Sequence, residues 1–355
     1  MLLLRSSQVV ASMTVELLKN AAPWPELPPN GDYPQLNGHS SAWLDAICKG
    51  LKHKPFVLIH REASGSPNGI LPLVLVQSML FGKFLVSLPY LNTGGPWASD
   101  QSVASALVTR ACDLADEHDV RYLELRLEHP VEHPRLTVCR TEKVHMRLKL
   151  PASDPELDAS FKSKLRSQVK KSNEHSLTIE WGRFALLDDF YRVFAINMRD
   201  LGTPVFSKRL FKAILIAFPD EAELCIVRIN AISIAAGLLV HSRGVSEVPS
   251  ASSLRAYNYT NANMWMYRNM LKRAIERGSH TFDFGRSSVD SGTYKFKSQW
   301  GAVPCPANWQ YYVRKGSADE MRPDSEGKQK LVRIWQRLPV ALTRLIGPQI
   351  IRGVP

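Results

Sequence analysis

The sequence predicts an α+β chain of two like units, each a mixed, mainly antiparallel sheet flanked by helices. Short runs rich in β-branched and aromatic residues alternate with amphipathic helical patterns, and the same order of elements occurs twice. The 355 residues suffice for two cores of ordinary size.

Ser40 to Leu51 reads as a helix with Trp43, Ile47 and Leu51 on one face. A hairpin follows, its arms PFVLIHRE and GILPLVLVQSML joined by ASGSPNG, whose Ser, Pro, Asn and Gly favour turns. Next come a strand in FLVSLPY, the loop LNTGGPWASD, a helix from about Gln101 to Glu117, and the strand VRYLELRL. Three helical patterns then intervene: PELDASFKSKLRSQVKKSNEH, DDFYRVFAINMRDLG and SKRLFKAILIAF. After them the first order returns, with the hairpin ELCIVRIN and ISIAAGLLVHS, the strand SEVPSAS and the loop SLRAYNYTNAN. A helix from about Ala262 to Arg277 and the strand HTFDFG complete it. Val103, Leu107, Val108, Ala111 and Leu114 share a helix face in the first copy. Met264, Tyr267, Met270, Leu271, Ala274 and Ile275 do so in the second. A boundary near Pro151 to Pro155 gives units over 14–150 and 151–315, followed by a basic amphipathic tail over 316–355.

Lys plus Arg number 45 against 33 Asp plus Glu, a net charge of +12, so the surface field favours anionic partners. Cys48, Cys112, Cys139, Cys225 and Cys305 are odd in number, scattered and never in a C-x-x-C pair. That argues against a disulfide framework or zinc ribbon and for a reducing cytoplasm. The opening MLLLRSSQVVASM is too short an apolar run for a signal peptide, and no stretch approaches the ~20 apolar residues of a membrane span.

The sequence has no G-x-S-x-G, H-E-x-x-H, Walker loop or G-x-G-x-x-G, which removes the motif-based cases for a serine hydrolase, zincin, P-loop NTPase or Rossmann dehydrogenase. His129 and His133 in EHPVEHPR have a ligand-like spacing, but the two prolines forbid the helix that would align them, so no metal site is expected.

Three polar clusters remain. In SLPYLNTGGPW the turn Gly94-Gly95-Pro96 exposes backbone amides, and Tyr90, Asn92 and Trp97 frame a substrate-facing edge. In INMRDLGTPVFSKRLF, Arg199 and Asp200 end a helix, Gly202 suits its C-cap and Ser207 opens the next helix. In FDFGRSSVDSGTYKFKSQWG a strand broken by Gly285 delivers Arg286, and Ser291 or Thr293 caps a short helix carrying Tyr294, Lys295 and Lys297, with Phe296 and Trp300 as its anchors. Arg286, Lys295 and Lys297 read as an anion clamp, because a guanidinium forks onto phosphate or carboxylate.

The last cluster, continued as AVPCPANWQYY and preceded by NMRDLGTPVFS, EVPSASSLRAYN and SLPYLNTGGP, resembles the FemAB-related branch of the GNAT acyltransferase superfamily, particularly the proteins that accompany exosortase and PEP-CTERM exopolysaccharide loci. The resemblance runs from about His39 to Tyr312. It implies two tandem GNAT-like domains and N-acyl or aminoacyl transfer onto a cell-envelope, peptidoglycan or exopolysaccharide precursor. No permanently bound cofactor is implied, and the donor is left open between aminoacyl-tRNA and acyl-CoA. Partners are then a phosphate-bearing or lipid-linked saccharide or peptide precursor, with tRNA among them and DNA not. Catalysis in this superfamily is mostly positioning, with Asp283 as the carboxylate for the amine's proton and Tyr294 as a donor. Arg199, and Arg255, Tyr257 and Asn258 of EVPSASSLRAYN, join the substrate-binding set. The alternatives are an acyl-CoA enzyme acting on an amino sugar and a non-catalytic anion- or RNA-binding protein. For the latter, the basic helix FKSKLRSQVKKSNEH is the surface, although Phe161, Leu165 and Val169 form an apolar stripe along it. The tail places Leu331, Ile334, Trp335 and Leu338 on one face among basic residues, the pattern of a helix at an anionic inner-membrane surface.

Overall fold

The computed structural model describes residues 15–21, 23–24, 36–316 and 326–355; Met1 to Met13 and the start of the tail lie outside them. The first part of the chain forms β1 (Val15–Leu18), α1 (Ser41–Leu51), β2 (Lys54–Arg61), β3 (Pro67–Ser78), β4 (Gly82–Val86), β5 (Trp97–Ala98), α2 (Gln101–Glu117), β6 (Tyr122–Leu127), β7 (Val138–Arg140) and β8 (Lys143–Lys149). The second forms α3 (Asp154–Ser160), α4 (Ser163–Ser172), β9 (Thr178–Gly182), α5 (Leu187–Leu201), α6 (Lys208–Ala217), β10 (Ala222–Ile229), β11 (Ile232–Ser242), β12 (Val245–Ser253), α7 (Ala262–Glu276), β13 (Thr281–Ser288), α8 (Gly292–Ser298), β14 (Val303–Pro306) and β15 (Asn308–Val313). The tail forms α9 (Glu326–Arg337) and α10 (Val340–Ile351).

Each expected hairpin and crossover is present, and the duplication is structural. β2, β3 and β4 run antiparallel, α2 crosses over, and β6 returns parallel to β4. β10, β11 and β12 do the same, α7 crosses over, and β13 returns parallel to β12. Local chemistry sets the ends. Asp100 accepts hydrogen bonds from the Ser102 and Val103 amides to start α2, and Gly202, at φ 77°, closes α5 in the left-handed conformation. Two expected ends move. β4 stops at Val86, because Leu88 and Tyr90 take positive φ in the next turn; β13 does not break at Gly285 but bulges there, at φ 76°, and continues to Ser288.

The strand orders are β1-β2-β3-β4-β6-β15-β7, with β5 paired to β3, and β14-β8-β13-β12-β11-β10-β9. Period-two alternation buries both faces. Phe56, Leu58, Leu71 and Leu73 pack under α2, while Val57, Ile59, Ile70 and Val74 face a middle layer of α1, α5 and α6. The second sheet supplies Leu224, Ile226 and Leu238 to that same middle core, and Cys225, Val227 and Leu239 to another beneath α7. Phe161, Leu165 and half-buried Val169 pack there too, so the stripe of the basic helix is core-facing. The sheets also trade strands: β8 pairs with β13 in the second sheet, and β15, near the end of the fold, pairs with β6 in the first. The tail docks back on the body. Arg199 Nη1 donates to the Leu338 carbonyl at 3.1 Å, Gln336 to that of Asp200 at 3.0 Å, and Tyr90 Oη to that of Arg352 at 2.7 Å.

Candidate active site

β12 and β13 pair only over Val245–Glu247 and Thr281–Asp283, then separate although both strands continue. Two parallel strands that part in mid-sheet leave free backbone edges and a wedge-shaped cleft between them. Three side chains cross its closed end in register. Glu247 on β12 is opposite Asp283 on β13, and Asp283 is opposite Arg147 on β8, so all three project from one face.

Asp283 is buried and its oxygens are taken. The Gly285 amide donates to one at 2.7 Å and Arg147 Nε to the other at 3.0 Å. Arg147 also grips Glu128 through both terminal nitrogens, and these carboxylates hold its guanidinium above the ordinary arginine range against the opposing effect of burial. Glu247 has no such cation of its own. Burial and the Asp283 charge push its carboxyl up to about 8. Asn37 stands against it, and its side-chain amide acts on the carboxyl in the opposite sense, lowering it.

The first unit closes the cleft. Gly38, Tyr90, Leu91, Asn92 and Thr93 join Glu247, Val248, Pro249 and Asp283 around a cavity of about 60 Å³, large enough for a reacting amine or carbonyl but not for a whole substrate. Arg126 fixes this wall. It forms a buried pair with Glu124 at 2.6 Å and donates to the Leu91 carbonyl at 2.6 Å. Asn92 Nδ2 sits 3.1 Å from where a Cβ on Gly285 would lie, so the glycine permits the close approach of the two units.

Beyond the bulge, the Arg286 guanidinium lies 3.7 Å from the centroid of the Trp309 ring, and Arg126 lies over the same ring at 4.2 Å. Arg286 does not pair with Asp283, and no acceptor among the described residues hydrogen-bonds it. Burial, then the charge of Arg126, lowers it to about 10, so it stays cationic at neutral pH. Lys297 is buried and donates to the carbonyls of Gly285 and Arg286, each at 3.0 Å; burial lowers its amine to about 8. An anion drawn to Arg286 therefore meets a second positive charge.

Not every expected residue reaches the cleft. Trp97 is buried in the middle core, because its strand β5 pairs with β3. Gly94 and Gly95 shape the loop: the Gly94 amide donates to the Arg126 carbonyl, and the Gly95 carbonyl meets His39 Nε2. Tyr90 lines the cavity, but its hydroxyl is committed to Arg352 and His53 and its ring packs against Phe206. Arg199 pairs with Asp200 and holds the tail. Tyr294 packs on the second core, Tyr257 partly does, and Lys295, Arg255 and Asn258 are exposed. Glu247, Arg147, Glu128 and Asn37 are the additions. A carboxylate in each of the strands SEVPSAS and HTFDFG, which the duplication makes neighbours, was the signal available for Glu247.

Comparison with known families agrees with the fold. Residues 159–298 match the model of the acetyltransferase (GNAT) domain. The chain is a tandem GNAT-fold protein. Among solved structures, FemX superposes on this tandem GNAT fold with a TM-score of 0.59 at 16% identity, covering 87% of this chain and 96% of that one. The C-terminal domain of a putative lysylphosphatidylglycerol synthetase from Agrobacterium fabrum gives 0.51 at 10% identity, covering 78% and 88%. L-PGS from Bacillus licheniformis gives 0.50 at 10%, covering 83% and 92%. At these identities the likeness is one of fold. No curated protein sequence matches the chain.

Proposed function

We propose that this GNAT-fold chain is an N-acyltransferase that moves an aminoacyl group onto the amine of a phosphate-bearing cell-envelope precursor. One observation carries the reading: a carboxyl group tuned to the neutral range, Glu247, lines the cavity at the closed end of the cleft, and farther along β13, past the bulge, stands Arg286, a cation with no acid partner among the described residues. A general base works best when its pKa lies near the operating pH, and an anionic substrate needs a fixed countercharge.

In this scheme the acceptor's phosphate is held by Arg286 and Lys297, which places its amine at the cavity. The amine attacks the donor carbonyl; ionised Glu247 takes the proton that the new ammonium sheds and returns it to the leaving oxygen as the tetrahedral intermediate collapses. Asn92 Nδ2 is the donor available to the developing oxyanion. Asp283 keeps a structural part: bound by Arg147 and Gly285, it raises Glu247 without moving a proton itself. Tyr294 has no part in this scheme.

An ester donor, aminoacyl-tRNA, fits better than acyl-CoA. The segment entering α7 is a 3₁₀ turn, Arg255–Thr260, and Thr260 Oγ1 accepts from the Ala262 amide that would otherwise point at a pyrophosphate. The name of one structural neighbour, a putative lysylphosphatidylglycerol synthetase, also describes aminoacylation of an envelope molecule.

The full chain, incubated with labelled aminoacyl-tRNA, labelled acyl-CoA or no donor, together with a peptidoglycan precursor bearing a free amine and a pyrophosphate, tests this. Label should pass from aminoacyl-tRNA to the amine, and Glu247→Gln should slow transfer by roughly 10²–10⁴-fold. Transfer from acyl-CoA alone would reassign the donor, and undiminished transfer by Glu247→Gln would remove Glu247 from the chemistry.

A further inference from the structure

The docked tail leaves an apolar surface uncovered. Leu331 is 66% exposed and Ile334 58% on α9, and Leu345 is 74% exposed on α10. At the β3–β4 turn, Met79 is 106% and Leu80 75% exposed, with Phe81 beside them. Residues of this size rarely stand in water in a contiguous group without a partner. The two groups adjoin: a Cβ on Gly353, just past α10, would lie 2.5 Å from Ser78 Oγ, at the foot of that turn. The turn is also stiff, since Ser78 Oγ accepts from the amides of both Leu80 and Phe81.

Charge identifies the occupant. Residues 327–355 hold six basic side chains and no acidic one, and Lys330, Arg333 and Arg337 are exposed on α9 between its apolar residues. A protein partner would supply hydrophobic area without requiring so one-sided a charge; an anionic bilayer supplies both, taking apolar tips into its acyl boundary and basic side chains at its headgroups. Among the described residues no helix is long and apolar enough to cross a membrane.

We infer that the β3–β4 turn and the outer face of α9 and α10 together form a docking surface for an anionic lipid bilayer. The surface stands apart from the catalytic reading. Its use in presenting a lipid-linked acceptor rests on that reading, because Tyr90 lines the cleft cavity and hydrogen-bonds the Arg352 carbonyl at the surface's edge.

Cosedimentation of the full chain with vesicles of phosphatidylcholine, alone or mixed with phosphatidylglycerol, is the measurement. Binding is expected to the mixed vesicles and to fall with added salt. Leu80→Asp combined with Leu345→Glu should lower partitioning by roughly tenfold or more, since each removes one inserted side chain. Arg333→Gln combined with Arg337→Gln should lower it by roughly fivefold or more at low salt. All four sites are exposed and outside the cleft, so transfer to a water-soluble acceptor should persist in these variants; its absence in every form, with vesicle binding intact, would count against the proposed reaction alone. Equal partitioning of wild type and variants, or equal binding to neutral vesicles, would overturn the docking surface. So would a dimer, seen by sedimentation velocity, that Leu80→Asp and Leu345→Glu dissociate while no form binds vesicles.

Discussion

Glu247→Gln removes a titratable group and keeps its shape, so it reads the surroundings of that carboxyl without any substrate. The ordinary glutamate value is 4.5, and burial beside Asp283 raises it to about 8. Below the lower value the group is protonated in the folded and unfolded chain alike and has no effect on the pH dependence. Between the two values the folded chain keeps a proton that the unfolded chain releases, so stability falls as pH rises, by at most ~1.4 kcal/mol per pH unit. Above about 8 the loss is complete and constant. The whole interval sets a ceiling of ~5 kcal/mol. Wild type and Glu247→Gln should therefore unfold alike in urea near pH 4.5, and the variant should become the more stable as pH rises, by up to ~5 kcal/mol near pH 8. Fluorescence-monitored urea midpoints across that range are the assay. A difference between the two proteins that does not change with pH would refute the raised carboxyl, and with it the base assigned to the reaction.

Arg286→Lys keeps the charge but loses the planar fork and the stack on Trp309, so calorimetry with a pyrophosphate-bearing precursor should show affinity down by roughly tenfold while the fold persists. Arg147→Gln strands two carboxylates that are largely buried, at 11% and 4% side-chain exposure, and should cost ~3 kcal/mol in urea unfolding; adding Asp283→Asn should recover part of it. Gly285→Ala places a Cβ 3.1 Å from Asn92 Nδ2 at a φ of 76°, and should cost ~1–2 kcal/mol and displace Asn92, slowing transfer more than it weakens precursor binding.

Period-two and helical patterning were legible because they follow from burial on one or two faces, and so was the repeated order of hairpin, crossover helix and parallel strand. What the sequence hid was long-range pairing. β8 carries Arg147 in KVHMRLK, a run whose alternation says strand but cannot say that its neighbours are β13 and β14, more than a hundred residues away. Without that pairing Asp283 looked free to take a proton. The raised value of Glu247 was hidden for the same reason: it arises from burial and from Asp283 on a neighbouring strand, neither of which SEVPSAS alone expresses. The opposite error befell Trp97, whose place in a glycine-rich loop suggested a cleft edge, whereas two residues of strand pairing bury it.

The trading of β8 and β15 also bears on synthesis. The first sheet cannot be finished when its own sequence has been made, because β6 must wait for β15, whose first residue comes 308 − 127 = 181 positions after the end of β6. At ~5–20 residues per second the ribosome needs roughly 9–36 s to supply it. Through that interval one edge of β6 stands open beside a growing chain, the circumstance in which strands join the wrong partner. Glu124 and Arg126, a charged pair set into that edge and later buried under β15, make the waiting strand a poor template for another chain.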